Sequence, residues 1–190
     1  INKTMIEVNS EMIALRRVMN EATTDFNEMR NIAADLGVEF ASNIQDIINS
    51  MVQWGRQGRN QIEVIELTEA ALLATNVAEM EAKESVDLLT AALLQFNMEA
   101  SEATSIIDRW NEVANNFAVS ASKIATSLRE SGAAANSAGI AMDELIGMTT
   151  ALSAATAKSG SRIGRALRTV FSRMMGDANN AGEALGKVEV

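Results

Sequence analysis

The sequence feature that most constrains the fold is a gapless internal repeat between residues 102 and 170. Residues 102–128 superpose on residues 141–167, and matched positions often carry the same residue, as at Ile107 and Ile146. A period of about 39 residues fits a unit of two helices, which cannot bury its apolar face without a neighbouring unit. The repeat therefore predicts stacked helical hairpins.

The composition of the chain also favours helices. Its 190 residues contain no proline, the residue that most often breaks a helix. Apolar residues make up 47% of the sequence but aromatic residues only 4%, so the predicted core is thin and built from small and flexible side chains. The expected fold class is all-α.

Weaker copies of the unit precede the clear pair. Apolar residues that recur at nearly the same interval serve as repeat anchors: Ile48, Val86, Ile124 and Ile163. The pattern predicts helical hairpin repeats of about 39 residues over residues 37–176. Residues 177–190 lack periodicity and contain glycines, which predicts a linker or the start of a following segment.

The first 36 residues carry a different pattern. Apolar residues alternate there at spacings of three and four, which is typical of a coiled-coil seam. The seam positions are Met5, Val8, Met12, Leu15, Met19, Ala22, Phe26, Met29, Ala33 and Leu36. Two interpretations stay open: a long coiled-coil-like helix with a partner, or one amphipathic helix on a globular core. Gly37 is expected to end this helix and Ser42 to cap the next.

Residues that usually carry catalysis are scarce. The chain has no histidine and no cysteine, which removes the commonest general base and the thiolate nucleophile. Ser120 and Lys123 fit an S-x-x-K motif, but the repeat copy has Arg162 in place of the lysine, and arginine cannot act as a base. We expect Ser120 to cap a helix and Trp54 to be a core anchor. No enzyme activity, metal site or cofactor is expected.

Charge is unevenly distributed along the chain. The net charge is −9, yet residues 145–176 contain no acidic residue. A basic helix face is predicted there, formed by Arg162, Arg165, Arg168 and Arg173. A basic amphipathic helix can bind acidic protein surfaces, anionic lipid or DNA. A solvated face that balances the acidic remainder of the chain is an equally good interpretation.

Several long strings resemble the core region of phage tail tape measure proteins of the TP901 family. They are LRRVMNEATTDFNEMR at residues 15–30, ALLATNVAEMEA at 71–82, LLTAALLQFN at 88–97, IIDRWNEVANNFAVSASKIATSLRESG at 106–132 and TTALSAATAKSGSRIGRALRTVFSRM at 149–174. Together they extend the resemblance over roughly residues 10–176. None of these strings is a chemical motif.

The resemblance implies a structural role in the lumen of a bacteriophage or prophage tail. Such a protein, made in the host cytoplasm, sets tail length during assembly and leaves ahead of the DNA. The resemblance further implies a helical bundle of several copies, contacts with tail tube, tail-tip and tail assembly chaperone proteins, and no cofactor. Transient contact with DNA or membrane at the basic stretch is a further expectation. The alternatives are a membrane-active helical segment acting during genome delivery and a helical scaffold or repeat binding module.

Overall fold

The computed structural model describes the backbone of residues 2–77 and 80–186 and the side chains of residues 7–76 and 80–177. Within these residues all regular secondary structure is helical, which confirms the all-α prediction. The helices are α1 (Asn2–Val18), α2 (Phe26–Glu39), α3 (Ile44–Arg56), α4 (Gln61–Val77), α5 (Ala82–Phe96), α6 (Ala103–Asn116), α7 (Ala121–Ser137), α8 (Met142–Thr156) and α9 (Gly160–Gly186). A short 3₁₀ turn, Ala100–Glu102, leads into α6.

The chain divides into two compact units. The first comprises Ile1–Thr90 and Glu99–Asp108, and the second comprises Ala91–Met98 and Arg109–Val190. The boundary expected after residue 36 falls within α2, and α2 packs against α3 in the first unit. Helix α9 continues through the boundary expected after residue 176.

In the first unit, α1 and α3 lie side by side and run parallel. Near their starts, the Gln45 side-chain amide donates a hydrogen bond of 2.8 Å to the Glu7 carboxylate. Near their ends, Gly55 lies against Val18 and Met19. A side chain at Gly55 would meet both of these residues, so the glycine permits the close approach of the two helices.

Helices α2 and α4 are also parallel neighbours. The Gln61 amide donates to the Glu28 carboxylate over 2.6 Å, and the Asn76 amide donates to the Phe40 carbonyl over 3.3 Å. Trp54 of α3 is fully buried, which confirms its expected place in the core.

The prediction of one continuous helix over residues 1–36 was wrong. Helix α1 ends at Val18, and α2 begins at Phe26 after the Asp25 carboxylate accepts hydrogen bonds from the backbone N–H groups of Asn27 and Glu28. Asn20 also accepts from a backbone N–H in the connecting turn. Such local side-chain bonds compete with helical ones. The spacing of three and four residues continues across the turn because α1 and α2 bury their apolar side chains in the same core.

Two helix ends also differ from expectation. Helix α2 runs through Gly37 to Glu39, and the cap of α3 is Asn43 rather than Ser42. The Asn43 side chain accepts from the Gln45 backbone N–H over 3.0 Å, whereas the Ser42 hydroxyl donates to a carbonyl of the preceding turn. Asparagine and serine are both good caps, so local sequence does not choose between neighbours.

In the second unit, α7 and α9 are parallel and very close. Gly160 lies against the backbone of Lys123, and Gly164 against the backbone of Ser127. The two contact points are four residues apart on each helix, which fixes the parallel direction. Helix α8 packs on both, and its Thr149 hydroxyl shares a buried hydrogen bond of 2.9 Å with Ser127.

Helix α9 is longer than the sequence predicted. It continues to Gly186, although a linker or the start of a following segment was expected from residue 177; residues 187–190 lie outside the described part of the chain. An interior glycine costs a helix only about 1 kcal/mol, and the stretch has no proline. The lack of apolar periodicity therefore did not mark a helix end.

Candidate functional site

The basic face of α9, defined as Arg162, Arg165, Arg168 and Arg173, is the most distinctive surface of the second unit. All four arginines are exposed. The opposite face of the helix buries Ile163, Leu167 and Phe171. The glycines that bring α9 onto α7 thus fix which side of the helix presents the arginines to solvent.

Few carboxylates lie near this face. Among the described residues, Arg168 lies 4.0 Å from the Glu130 carboxylate, and no ion pair involves the other three arginines. The Arg165 guanidinium donates to the Ser161 carbonyl of its own helix over 3.1 Å. Val170 and Met174 lie on the apolar side of α9 with Ile163 and Leu167, yet they are 51% and 55% exposed. Helix α9 therefore presents unpaired positive charge on one side and exposed apolar residues towards its end on the other.

A surface of opposite character lies on α4 in the first unit. Ile62, Glu66, Glu69 and Leu73 follow one another at helical spacing, and we call them the acidic stripe. Ile62 is 70% exposed, both glutamates are exposed, and Leu73 is half-buried. The buried positions of α4, including Val64, Leu67 and Ala71, face the other way. From the sequence, the spacing of Glu63, Glu66 and Glu69 predicts an acidic, solvated face on this helix, whereas the structure separates Glu63 from the other two.

The start of α4 explains why Glu63 does not belong to this stripe. Its carboxylate accepts a hydrogen bond of 3.0 Å from the Asn60 backbone N–H and one of 2.7 Å from the Arg59 guanidinium. The Asn60 backbone N–H, and then the Arg59 side chain, hold the pKa of Glu63 below its usual value. Glu63 therefore closes the helix start as part of a capping box.

The residues of the predicted N-terminal seam lie in the core of the first unit, with two exceptions. Buried are Val8, Met12, Leu15, Met19, Phe26, Met29, Ala33 and Leu36. Ala22 is exposed in the turn between α1 and α2, and the side chain of Met5 lies outside the described residues. These side chains pack within one chain. In the structure they are part of its core and not a seam for a partner helix.

The four repeat anchors, Ile48, Val86, Ile124 and Ile163, are all buried. Ile48 and Val86 lie four residues after the starts of α3 and α5, whereas Ile124 and Ile163 lie three residues after the starts of α7 and α9. The structure thus places equivalent side chains in the first turns of alternate helices.

The S-x-x-K motif lies at the start of α7, where its serine has a conformational role. The Ser120 hydroxyl accepts a hydrogen bond of 3.2 Å from the Lys123 backbone N–H, which confirms the expected N-cap. Ser159 occupies the equivalent position before α9, and its carbonyl accepts hydrogen bonds from the backbone N–H groups of Arg162 and Ile163. The motif is therefore used to begin a helix.

An apolar groove in the second unit was not anticipated. It encloses about 1130 Å³ between the end of α6 and α8 and is lined by residues that include Val113, Phe117 and Gly147. Phe117 is 59% exposed, and the Arg109 guanidinium pairs with Asp143 across one end at 3.0 Å. The small residues Gly147, Ala151 and Ala154, at helical spacing on α8, are the sequence signal that would have indicated it.

The described residues form a helical protein whose distinctive surface features are a basic face, an acidic stripe and an apolar groove. Residues 15–190 match the family model of the phage-related minor tail proteins. The chain therefore belongs to that family and is a phage tail protein with a structural role. No solved structure matches the chain. None of the helices in the described ranges has the length and apolar character needed to cross a membrane.

Proposed function

We propose that this chain is part of a tape measure protein that sets tail length and occupies the tail lumen before DNA ejection. Family membership supports a tail role, and the resemblance of residues 106–132 and 149–174 to the TP901 family supports the more specific one. The role is structural and needs no catalysis. In it, copies of the chain are bundled together and contact tail tube, tail-tip and assembly chaperone proteins.

The observation that carries the proposal is the regular succession of helices. Helices α3, α5, α7 and α9 begin at Ile44, Ala82, Ala121 and Gly160, so the interval between successive starts is nearly constant. Helices α6 and α8 begin at Ala103 and Met142 and show the same interval. We interpret this as a series of hairpin units of about 39 residues. In a chain built from equal units, length is proportional to the number of units, which is what a ruler requires.

The test is to change the number of units in the phage. Deletion of residues 121–159 removes α7 and α8 and joins Ser120 directly to Gly160, so a serine still precedes α9. If the region is extended as one helix in the tail, the loss is about 58 Å at 1.5 Å per residue. If the hairpins stay stacked, each unit contributes only the spacing of neighbouring helices, about 10 Å.

Tail length is measured by electron microscopy of assembled particles. A duplication of residues 121–159 is the matched variant, because it keeps every residue and should lengthen tails by the amount that the deletion removes. Tails of unchanged length in particles that carry the duplication would refute a ruler role for this region.

A further inference from the structure

We infer that the basic face of α9 docks on the acidic stripe of α4 in a second copy of this chain. Both surfaces belong to the described residues, and each consists of side chains on one side of a single helix. The inference adds to the bundle of copies proposed above by naming the two surfaces that meet. It rests on that proposal only for the identity of the partner.

Complementary charge is the first argument for this pairing. The sequence of the first unit contains 18 acidic and 7 basic residues, and that of the second 7 acidic and 9 basic residues. The two units therefore carry net charges of −11 and +2. The acidic first unit of one copy therefore attracts the basic second unit of another copy. This charge difference favours contact between a first and a second unit over contact between two first units or two second units.

The spacing of the charges is the second argument. Glu66 and Glu69 are three residues apart on α4, and Arg162 and Arg165 are three residues apart on α9. Three residues correspond to about 4.5 Å along a helix, so two antiparallel helices can place Glu69 beside Arg162 and Glu66 beside Arg165. No ion pair within the described residues engages any of these four side chains.

The same antiparallel register covers an exposed apolar residue. Ile62 lies one turn before Glu66 and comes beside Thr169, which lies one turn after Arg165. Ile62 is 70% exposed in the single chain. Covering it removes apolar surface from water, which exposed ion pairs alone would not do.

The contact joins two different surfaces, so it is heterologous. Each copy keeps a free basic face after its acidic stripe is occupied, and association therefore continues beyond a dimer unless the geometry closes a ring. Because the pairs lie at the surface, association should weaken steeply as salt is added.

The experiment uses charge exchange in the full 190-residue chain, followed by sedimentation velocity over a range of protein and salt concentrations. Wild-type protein should form concentration-dependent oligomers at low salt. The variants R162E/R165E and E66R/E69R should each lose about 10-fold or more in association. An equimolar mixture of the two variants should recover it, since each altered surface then finds an oppositely charged one.

The matched control is R30E/R129E, which changes the net charge by the same amount as R162E/R165E but at exposed positions on α2 and α7. It should leave association unchanged. Helical circular dichroism checks that every variant is folded. Failure of the mixture to recover association overturns the inference, as does a wild-type chain that stays monomeric at all concentrations. Monomeric protein that instead binds anionic vesicles or duplex DNA, and loses this in R162E/R165E, assigns the face to those ligands and also overturns it.

Tail length and self-association are separate measurements. If the chain forms no oligomers in solution but the duplication still lengthens tails, the contact is refuted and the ruler role is retained. The reverse result would remove the ruler role and leave the contact standing.

Discussion

Replacing Gly164 by alanine should destabilise the second unit, although alanine is the better helix former. A Cβ atom at this position would lie 2.5 Å from the Ser127 carbonyl oxygen and 2.7 Å from the Glu130 Cβ atom. Because one of these is a backbone atom, α7 and α9 must move apart to admit the methyl group. Overpacking of this kind costs about 1–3 kcal/mol, and the gain in helix propensity offsets about 1 kcal/mol of it.

Gly176→Ala is the matched control, because Gly176 lies in the same helix and a Cβ atom there has no neighbour within 4 Å. It should stabilise the helix by up to about 1 kcal/mol. Urea denaturation followed by helical circular dichroism should place the midpoint of Gly164→Ala below that of the wild type and the midpoint of Gly176→Ala at or above it. Equal stabilisation by both substitutions would show that α7 and α9 do not cross closely at Gly164.

Three further predictions concern polar contacts. Ser127→Ala should cost about 1–3 kcal/mol because the buried Thr149 hydroxyl loses its partner, while adding Thr149→Val should recover part of that loss in a double-mutant cycle of unfolding free energies. Glu63→Gln should lower the melting temperature at neutral pH. Since the folded-state pKa of Glu63 is lowered, the wild-type advantage should be full above the ordinary pKa of 4.5 and vanish as pH falls through the folded pKa. Asp25→Ala should cost about 1 kcal/mol in urea denaturation, because α2 loses its N-cap.

The sequence predicted the regular parts of the fold. It missed the places where a single local contact determines where a helix ends or begins. The offset of the internal repeat matches the starts of α6 and α8 and of α7 and α9, because a repeated sequence repeats its caps and its buried positions. The corner at residues 19–25 was missed, since Met19 and Phe26 are buried on both sides of it and keep the helical spacing. Apolar spacing records which residues are buried and not whether one helix or two bury them.

The glycines show why the candidate surfaces were harder to predict than the helices. Gly160 and Gly164 lie at the crossing of α7 and α9, Gly139 adopts a positive φ of 76° after α7, and Gly147 is exposed in the middle of α8. The sequence alone does not distinguish the roles of these four glycines. Only the position of the neighbouring helix distinguishes a close crossing from a turn or from an open groove, and that position depends on residues far away in the chain. The basic face of α9 was predictable, because its charges and its buried stripe lie within one helix.

The folded hairpins and an extended bundle are two ways of covering the same apolar stripes. On α9 the stripe of Ile163, Leu167 and Phe171 is buried against its own chain, and in an extended bundle it would be buried against other copies. The arginines lie on the opposite side in both cases, so the basic face survives a change from one form to the other. The core that would have to open contains many alanines and few aromatic residues, and small side chains contribute little burial energy per helix. For the proposed tape measure role, we expect exchange between the two forms to depend on how many copies are present to cover the stripes. The size of the change in tail length on deletion or duplication of one unit measures which form the tail contains, because an extended helix and a stacked hairpin differ several-fold in length per unit.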